Sequence, residues 1–221
     1  MKTNEVVFIL DRSGSMEGLE KDTIGGFNRI LKEQKENKVD GEVLVSTVLF
    51  DDERIVLYDR KNINDIERMT EKDYVPRGST ALIDALGYSI KHIANIHKYI
   101  RKEDIPEHTL FVIITDGMEN ASHVFSSDEV KKMIKHEEEK YGWEFMFIGA
   151  NIDAVETAKS YGIRSEYAFN HISDGIGTGL VYGCINEKIS NTRKTQRGKI
   201  SSNECMENIE KDYRKRKNSN K

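Results

Sequence analysis

Two unbroken apolar runs, Val6-Val7-Phe8-Ile9-Leu10 and Leu110-Phe111-Val112-Ile113-Ile114, constrain the fold of this chain more than any other feature. Apolar runs without alternation belong to strands covered on both faces, which is the situation of parallel strands in α/β proteins. Each run ends in an acidic turn, Asp11 after the first and Asp116-Gly117 after the second. Open α/β sheets collect ligands outside the carboxyl ends of their strands, near the point where strand order reverses. Both turns therefore lie where a site is expected.

The remaining pattern alternates helix and strand. Residues 19–36 carry Ile24, Phe27, Ile30 and Leu31 at helical spacing. The pair Gly25-Gly26 inside that helix, each Gly costing about 1 kcal/mol relative to Ala, suggests close approach to another backbone. Residues 42–50 and 54–58 read as strands joined by Asp51-Asp52-Glu53. So short a link makes an antiparallel hairpin, because a parallel return needs a crossover of roughly a dozen residues or more. A short helical turn is expected at 63–69, and helices at 80–100, 127–140 (capped by Ser126 or Ser127) and 153–161. Strands are expected at 108–115, 144–148 and 165–169. This order gives a doubly wound α/β domain with one strand running against the others at the edge. Beyond His171, Ile172, Ile176, Leu180 and Ile189 suit a helix, but Gly175, Gly177, Gly179 and Gly183 count against one.

The 221 residues most simply form one large domain, 1–185, followed by a tail, 186–221. Charged residues make up 33%, and no apolar run is long enough to cross a bilayer. Residues 1–5 pass into the first strand without a secretory segment. Cys184 and Cys205 are too few and too near the end to frame the body, so a reducing, cytoplasmic location is expected. The formal net charge is −4, yet residues 186–221 hold eleven Lys or Arg against five Asp or Glu. That is +6 for the tail and −10 for the body. The tail, with Arg214-Lys215-Arg216-Lys217, is expected to be partly helical or disordered. Nucleic acid is an improbable partner, since Tyr213 stands alone among these charges and offers no stacking platform.

The turn Asp11-Arg12-Ser13-Gly14-Ser15 places a carboxylate and two hydroxyls at the end of the first strand, a spacing suited to a divalent metal. The same residue types are ordinary turn and cap formers. If the first strand and the strand before Asp116 are neighbours, Asp11 and Asp116 share one crevice. Two carboxylates at close range are unfavourable unless one is protonated or a cation stands between them. Thr80 follows a Gly78-Ser79 loop at the head of a helix, where its hydroxyl either caps that helix or points into the crevice.

Together, Asp-Arg-Ser-Gly-Ser-Met, Gly-Ser-Thr-Ala-Leu and Ile-Thr-Asp-Gly resemble the von Willebrand factor type A domain with its metal-ion-dependent adhesion site. The family pattern is Asp-x-Ser-x-Ser, a distant Thr and a later Asp, filled here by Asp11, Ser13, Ser15, Thr80 and Asp116. The resemblance covers residues 4–170, and the stretch Gly25-Gly26-Phe27-Asn28 is similar to the family's intracellular microbial branch. It implies a Rossmann-like, mostly parallel six-stranded sheet with one antiparallel edge strand and helices on both faces. It also implies Mg2+ or Mn2+ held by the hydroxyls of Ser13, Ser15 and Thr80, with Asp11 and Asp116 binding directly or through water. Hard oxygen donors of this kind meet the demands of such ions. A protein partner supplying an Asp or Glu would then complete the coordination, and an AAA+ ATPase-type complex is a candidate partner. Met16, Arg77, Ser79, Glu119, Asn120 and His123 are expected on the rim, although Glu119 and Asn120 suit capping and Arg77 suits solvation.

The alternative is a metal-dependent hydrolase or phosphotransferase. Ser13 stands where an Asp-x-Asp phosphoenzyme has its second acid, and neither a Gly-x-x-x-x-Gly-Lys loop nor a Gly-x-Ser-x-Gly elbow is present. His123, without a second His or Cys at ligand spacing, reads as a loop residue and not a zinc ligand. A scaffold that keeps the fold without a metal is disfavoured because all five positions are filled. The chain is expected to be a noncatalytic, metal-dependent binding module.

Overall fold

The structure is a computed structural model that describes residues 2–37, 41–150, 152–172, 174–194 and 204–219. Its strands are β1 (Thr3–Asp11), β2 (Glu42–Phe50), β3 (Arg54–Asn62), β4 (His108–Thr115), β5 (Glu144–Ala150) and β6 (Ala168–His171). They form one six-stranded sheet in the order β3-β2-β1-β4-β5-β6. All neighbouring pairs are parallel except β2 and β3, which are antiparallel and leave β3 at the edge. The apolar runs of β1 and β4 lie side by side, with Leu10 opposite Ile114. Both are buried along nearly their whole length, as unbroken apolar strands require.

The helices are α1 (Glu20–Glu36), α2 (Leu82–Tyr99), α3 (Ser127–Tyr141), α4 (Ala154–Ser160), α5 (Gly175–Lys194) and α6 (Glu204–Ser219). α1 packs against α5, and α2 against α3. Chain order leaves β1 for β2 on one side and β4 for β5 on the other. Right-handed crossovers in opposite directions put the two helix pairs on opposite faces of the sheet. The reversal of strand order falls between β1 and β4.

Several local expectations shift. α2 begins at Leu82, so Thr80 precedes the helix and its backbone is not part of it. The turn at 63–69 is helical only over Ile63–Asp65, after which Ile66 and Met69 turn into the core. Residues 165–167 form a 3₁₀ turn and the last strand starts at Ala168. α3 carries the full capping box, with Ser126 and Glu129 exchanging hydrogen bonds.

α5 forms in spite of its glycines, and of the residues expected to line it only part is buried. Ile176 and Leu180 are exposed, while Val181, Tyr182, Cys184, Ile185 and Ile189 are buried. Burial of that face offsets the glycine penalty. The close approach to another backbone expected at Gly25-Gly26 is not what occurs: Gly26 is pressed by the side-chain ring of Tyr182 from α5, which a Cβ would enter, and Gly25 faces open space.

α5 continues through position 185, the expected domain end, and α6 follows as a second helix of the basic segment. Of that segment, residues 195–203, 220 and 221 lie outside the described residues. α6 packs against β6 and α5 and buries Ile209. Cys184 and Cys205 are joined in a disulfide that ties α5 to α6. This cross-link departs from the reduced state expected from the cysteine count, because the docking of α6 brings Cys205 onto Cys184, which is buried in the core. Among the described residues no helix is long and apolar enough to cross a membrane.

Candidate metal centre

Asp11 ends β1 and is fully buried. Its Oδ1 accepts the backbone N–H of Ser13 at 2.7 Å and its Oδ2 accepts the Thr115 hydroxyl at 2.5 Å. The Tyr74 hydroxyl donates to the Asp11 carbonyl. Thr115 sits at the end of β4, next along the register that pairs Leu10 with Ile114, so the sheet itself delivers this contact. The Thr115 hydroxyl oxygen also accepts the Gly117 N–H at 3.2 Å, linking the two acidic turns.

The hydroxyls of Ser13 and Ser15 are 3.0 Å apart, and Ser15 donates to Asp116 Oδ1 at 2.6 Å. Thr80 reaches the same place from the loop before α2. A Cβ built on Gly117 would stand 2.9 Å from Thr80 Oγ1, 3.2 Å from Ser15 Oγ and 3.7 Å from Ser13 Oγ. Three hydroxyl oxygens from two distant loops thus surround one small space against Gly117, with Asp116 and Asp11 beside it. All five residues singled out in the sequence meet at the switch point.

Burial pushes the carboxyls of both Asp11 and Asp116 above the usual carboxylate range. Hydrogen bonds from Thr115 and Ser13 on Asp11, and from Ser15 on Asp116, oppose that shift. No cluster of three or more His, Cys, Asp or Glu is present among the described residues, so a nitrogen- or sulfur-rich metal set is not what this crevice offers. Its donors are hydroxyls and two carboxylates, hard oxygens suited to Mg2+ or Mn2+.

The loops carrying these donors are locked to one another. Buried Asp51, after β2, pairs with buried Arg12 at 2.8 Å and with Arg77 at 2.9 Å. The Gly14 N–H donates to the Gly78 carbonyl at 3.1 Å, and the Arg77 N–H to the Arg12 carbonyl at 2.8 Å. Asn120 Oδ1 accepts the Thr80 N–H at 2.9 Å, while the Asn120 N–H returns to the Thr80 carbonyl at 3.0 Å.

The expected rim is only partly a rim. Met16 is buried in the core, Arg77 is engaged by Asp51 and Glu53, and Asn120 holds Thr80. Glu119 accepts the N–H groups of Ala121, Ser122 and Ile83 and so serves as a cap. Ser79 and His123 are exposed. Met118, 74% exposed directly after Gly117, is the apolar rim residue that the sequence did not single out. Thr115, Asp51 and Tyr74 were also not foreseen. A hydroxyl closing the apolar run just before Asp116 is the one signal that points to Thr115.

No protein-family model and no curated protein matches the chain. Solved structures do. The von Willebrand factor domain of the type V pili tip protein Mfa5 from Porphyromonas gingivalis matches with a TM-score of 0.64 at 13% identity, over 90% of this chain and 98% of that one. A von Willebrand factor type A structure from Catenulispora acidiphila matches with a TM-score of 0.58 at 14% identity, over 86% of this chain and 43% of the other. Proximal thread matrix protein 1 from the mussel byssus, in a form with a zinc-occupied MIDAS motif, matches with a TM-score of 0.58 at 15% identity, over 86% and 46%. The chain spans less than half the length of the last two. At these identities the likeness concerns the fold: the chain has the von Willebrand factor type A fold, with five parallel-paired strands and one antiparallel edge strand.

Proposed function

We propose that this chain is a noncatalytic protein-binding module, in which Mg2+ or Mn2+ is held by Ser13, Ser15, Thr80, Asp11 and Asp116 and bridges to an Asp or Glu of a partner protein. The observation that carries this reading is the convergence of the Thr80, Ser15 and Ser13 hydroxyls on the space beside Gly117. A bound cation supplies a positive centre able to accept one more hard oxygen ligand.

The chain's own residues favour an incoming carboxylate. Ser13, Ser15 and Thr80 bring neutral oxygens, and both oxygens of Asp11 are already committed to Ser13 and Thr115. With most of the direct donors neutral hydroxyls, the ion keeps enough positive character to attract a charged oxygen from outside. The hydroxyls are poorly arranged as nucleophiles, because Ser13 and Ser15 bond to each other and to Asp116 and not to a histidine base. A partner of the AAA+ ATPase type belongs to the same reading, on the likeness of residues 25–28 to the intracellular branch, whereas the Cys184–Cys205 link weighs against the reducing, cytoplasmic setting expected from the sequence.

Affinity capture with the full chain in Mg2+ and in chelator, alongside the Ser13→Ala/Ser15→Ala double variant, tests it. Partners should be retained only by the unaltered chain in Mg2+. Capture indifferent to both chelator and substitution contradicts the proposal, as does a phosphatase or nucleotide-hydrolase activity that vanishes in Asp11→Ala.

A further inference from the structure

The end of the sheet opposite the metal crevice also holds a cavity. At the amino ends of β4 and β5, the last turns of α2 and α3 border a space of about 440 Å³. Small-molecule sites span about 300–1,000 Å³, so the volume suits a small ligand. Ala94, Ile100, Ile105, Pro106 and Trp143 give it an apolar wall. Of its ionisable lining residues, only Glu137 is buried and only His97 comes close to it, with a side chain 10% exposed.

Glu137 on α3 is 6% exposed, and its Oε2 is buried without a hydrogen-bond partner. No described cation lies within ion-pairing distance of that carboxyl. A buried acceptor left unpaired is unfavourable, and native structures rarely keep one without a use. Burial pushes the carboxyl above its ordinary range, against the charges of His136, His97 and Lys140. His97 adds a second acceptor. Its Nε2 lies 2.7 Å from Glu5 Oε2, while Glu5 Oε1 accepts the Arg60 Nε–H. A carboxylate only accepts, so Nε2 carries the proton, and Nδ1 on the other side of the neutral ring is an acceptor. The carbonyl ends of α2 and α3 bring the negative ends of two helix dipoles to the same place.

The cations on the lining do not cancel this. Lys98 and Lys102 are exposed, and Lys98 Nζ sits over the Tyr99 ring, 5.3 Å from its centre. Exposed charges are screened by water and salt far more than an enclosed carboxyl is. Glu107, the other carboxylate of the lining, is matched by Lys2 at 3.9 Å.

We infer that this cavity binds a small organic amine, its ammonium group held by the Glu137 carboxylate and its apolar body packed against Trp143. The head must donate, because the enclosed ionisable groups accept. The body must be apolar, because the wall is. The site is separate from the metal crevice and does not depend on the metal-bridged reading.

Trp143 is the only tryptophan, so its indole N–H signal reports on this cavity alone. The test is an NMR titration of the ¹⁵N-labelled full chain with phenethylamine, 2-phenylethanol and 3-phenylpropionate, in Mg2+ and in chelator. Phenethylamine should shift the indole signal saturably and equally in both. The neutral and acidic analogues should bind at least about tenfold more weakly. Glu137→Gln removes the charge, keeps the shape and should weaken phenethylamine about tenfold. Equal affinity of variant and unaltered chain for the amine, or equal affinity for all three compounds, overturns the role of Glu137. Tighter binding of 3-phenylpropionate also overturns it, by showing that Lys98 and Lys102 set the charge of the site. Absence of any saturable shift shows a packing gap filled by water and overturns the inference, whatever Mg2+ does at the crevice.

Discussion

Gly117 has no side chain of its own, and the three hydroxyls converge because of that. Gly117→Ala would set a methyl 2.9 Å from Thr80 Oγ1 and 3.2 Å from Ser15 Oγ, inside the space they surround. The expected outcome is loss of Mg2+ or Mn2+ binding in calorimetry with the far-UV circular dichroism unchanged. Thr115 acts through Asp11, whose Oδ2 it holds at 2.5 Å. Thr115→Val keeps the shape and removes that bond, and loss of such a supporting contact typically lowers metal affinity about 10- to 100-fold. Calorimetric titration of the variant checks this, and unaltered affinity would show that Asp11 needs no such support. The direct donors were legible in the sequence because Asp11 and Asp116 follow unbroken apolar strands and because Ser13, Ser15 and Thr80 fill the remaining positions of a known family pattern. Thr115 was harder to see, since a threonine at the end of a strand is ordinary, and its role depends on a partner 104 positions away.

Elements position these residues through two kinds of contact. One is polar: Asp51 is buried between Arg12 and Arg77 and ties the loop after β1 to the loop before α2. Asp51→Ala leaves the Arg12 guanidinium buried without its carboxylate and should cost about 3–5 kcal/mol in denaturant unfolding. The other is steric. Gly26→Ala drives a methyl into the Tyr182 ring between α1 and α5, and overpacking of this kind costs typically about 1–3 kcal/mol. On α3, burial pushes the Glu137 carboxyl above its ordinary range, with His136, His97 and Lys140 opposing the shift. A carboxyl with a raised folded-state pKa binds its proton more readily in the folded chain, so its contribution to stability grows as pH falls through that value and is smaller above it. Glu137→Gln should therefore raise the melting temperature at pH 7 more than at pH 4.5, as thermal unfolding at the two pH values will show. The sequence identified α1 and α2 by periodicity and α3 by its cap, but it found the buried face of α5 only in part. Of the residues expected there, Ile189 is buried but Ile176 and Leu180 are exposed, and docking on α1 selects Val181, Tyr182 and Ile185 as well.

At the scale of the molecule, strand order does the assembling. β1 and β4 become neighbours only because the chain reverses its winding between them, and this brings Asp11 and Asp116 together from opposite halves of the domain. That reversal was foreseeable from unbroken apolar strands, crossover helices and one hairpin too short for a parallel return. The place of α6 was not, because its amphipathic pattern is weak and its docking depends on β6, Asp174 and the link to Cys184. The central claim, that the polar crevice at the reversal point is a divalent-cation site, is tested most directly by calorimetric titration of the full chain with Mg2+ and Mn2+, beside the Ser13→Ala/Ser15→Ala variant. The account predicts a single saturable site in the unaltered chain that disappears in the folded variant; no binding, or equal binding by both proteins, would contradict it.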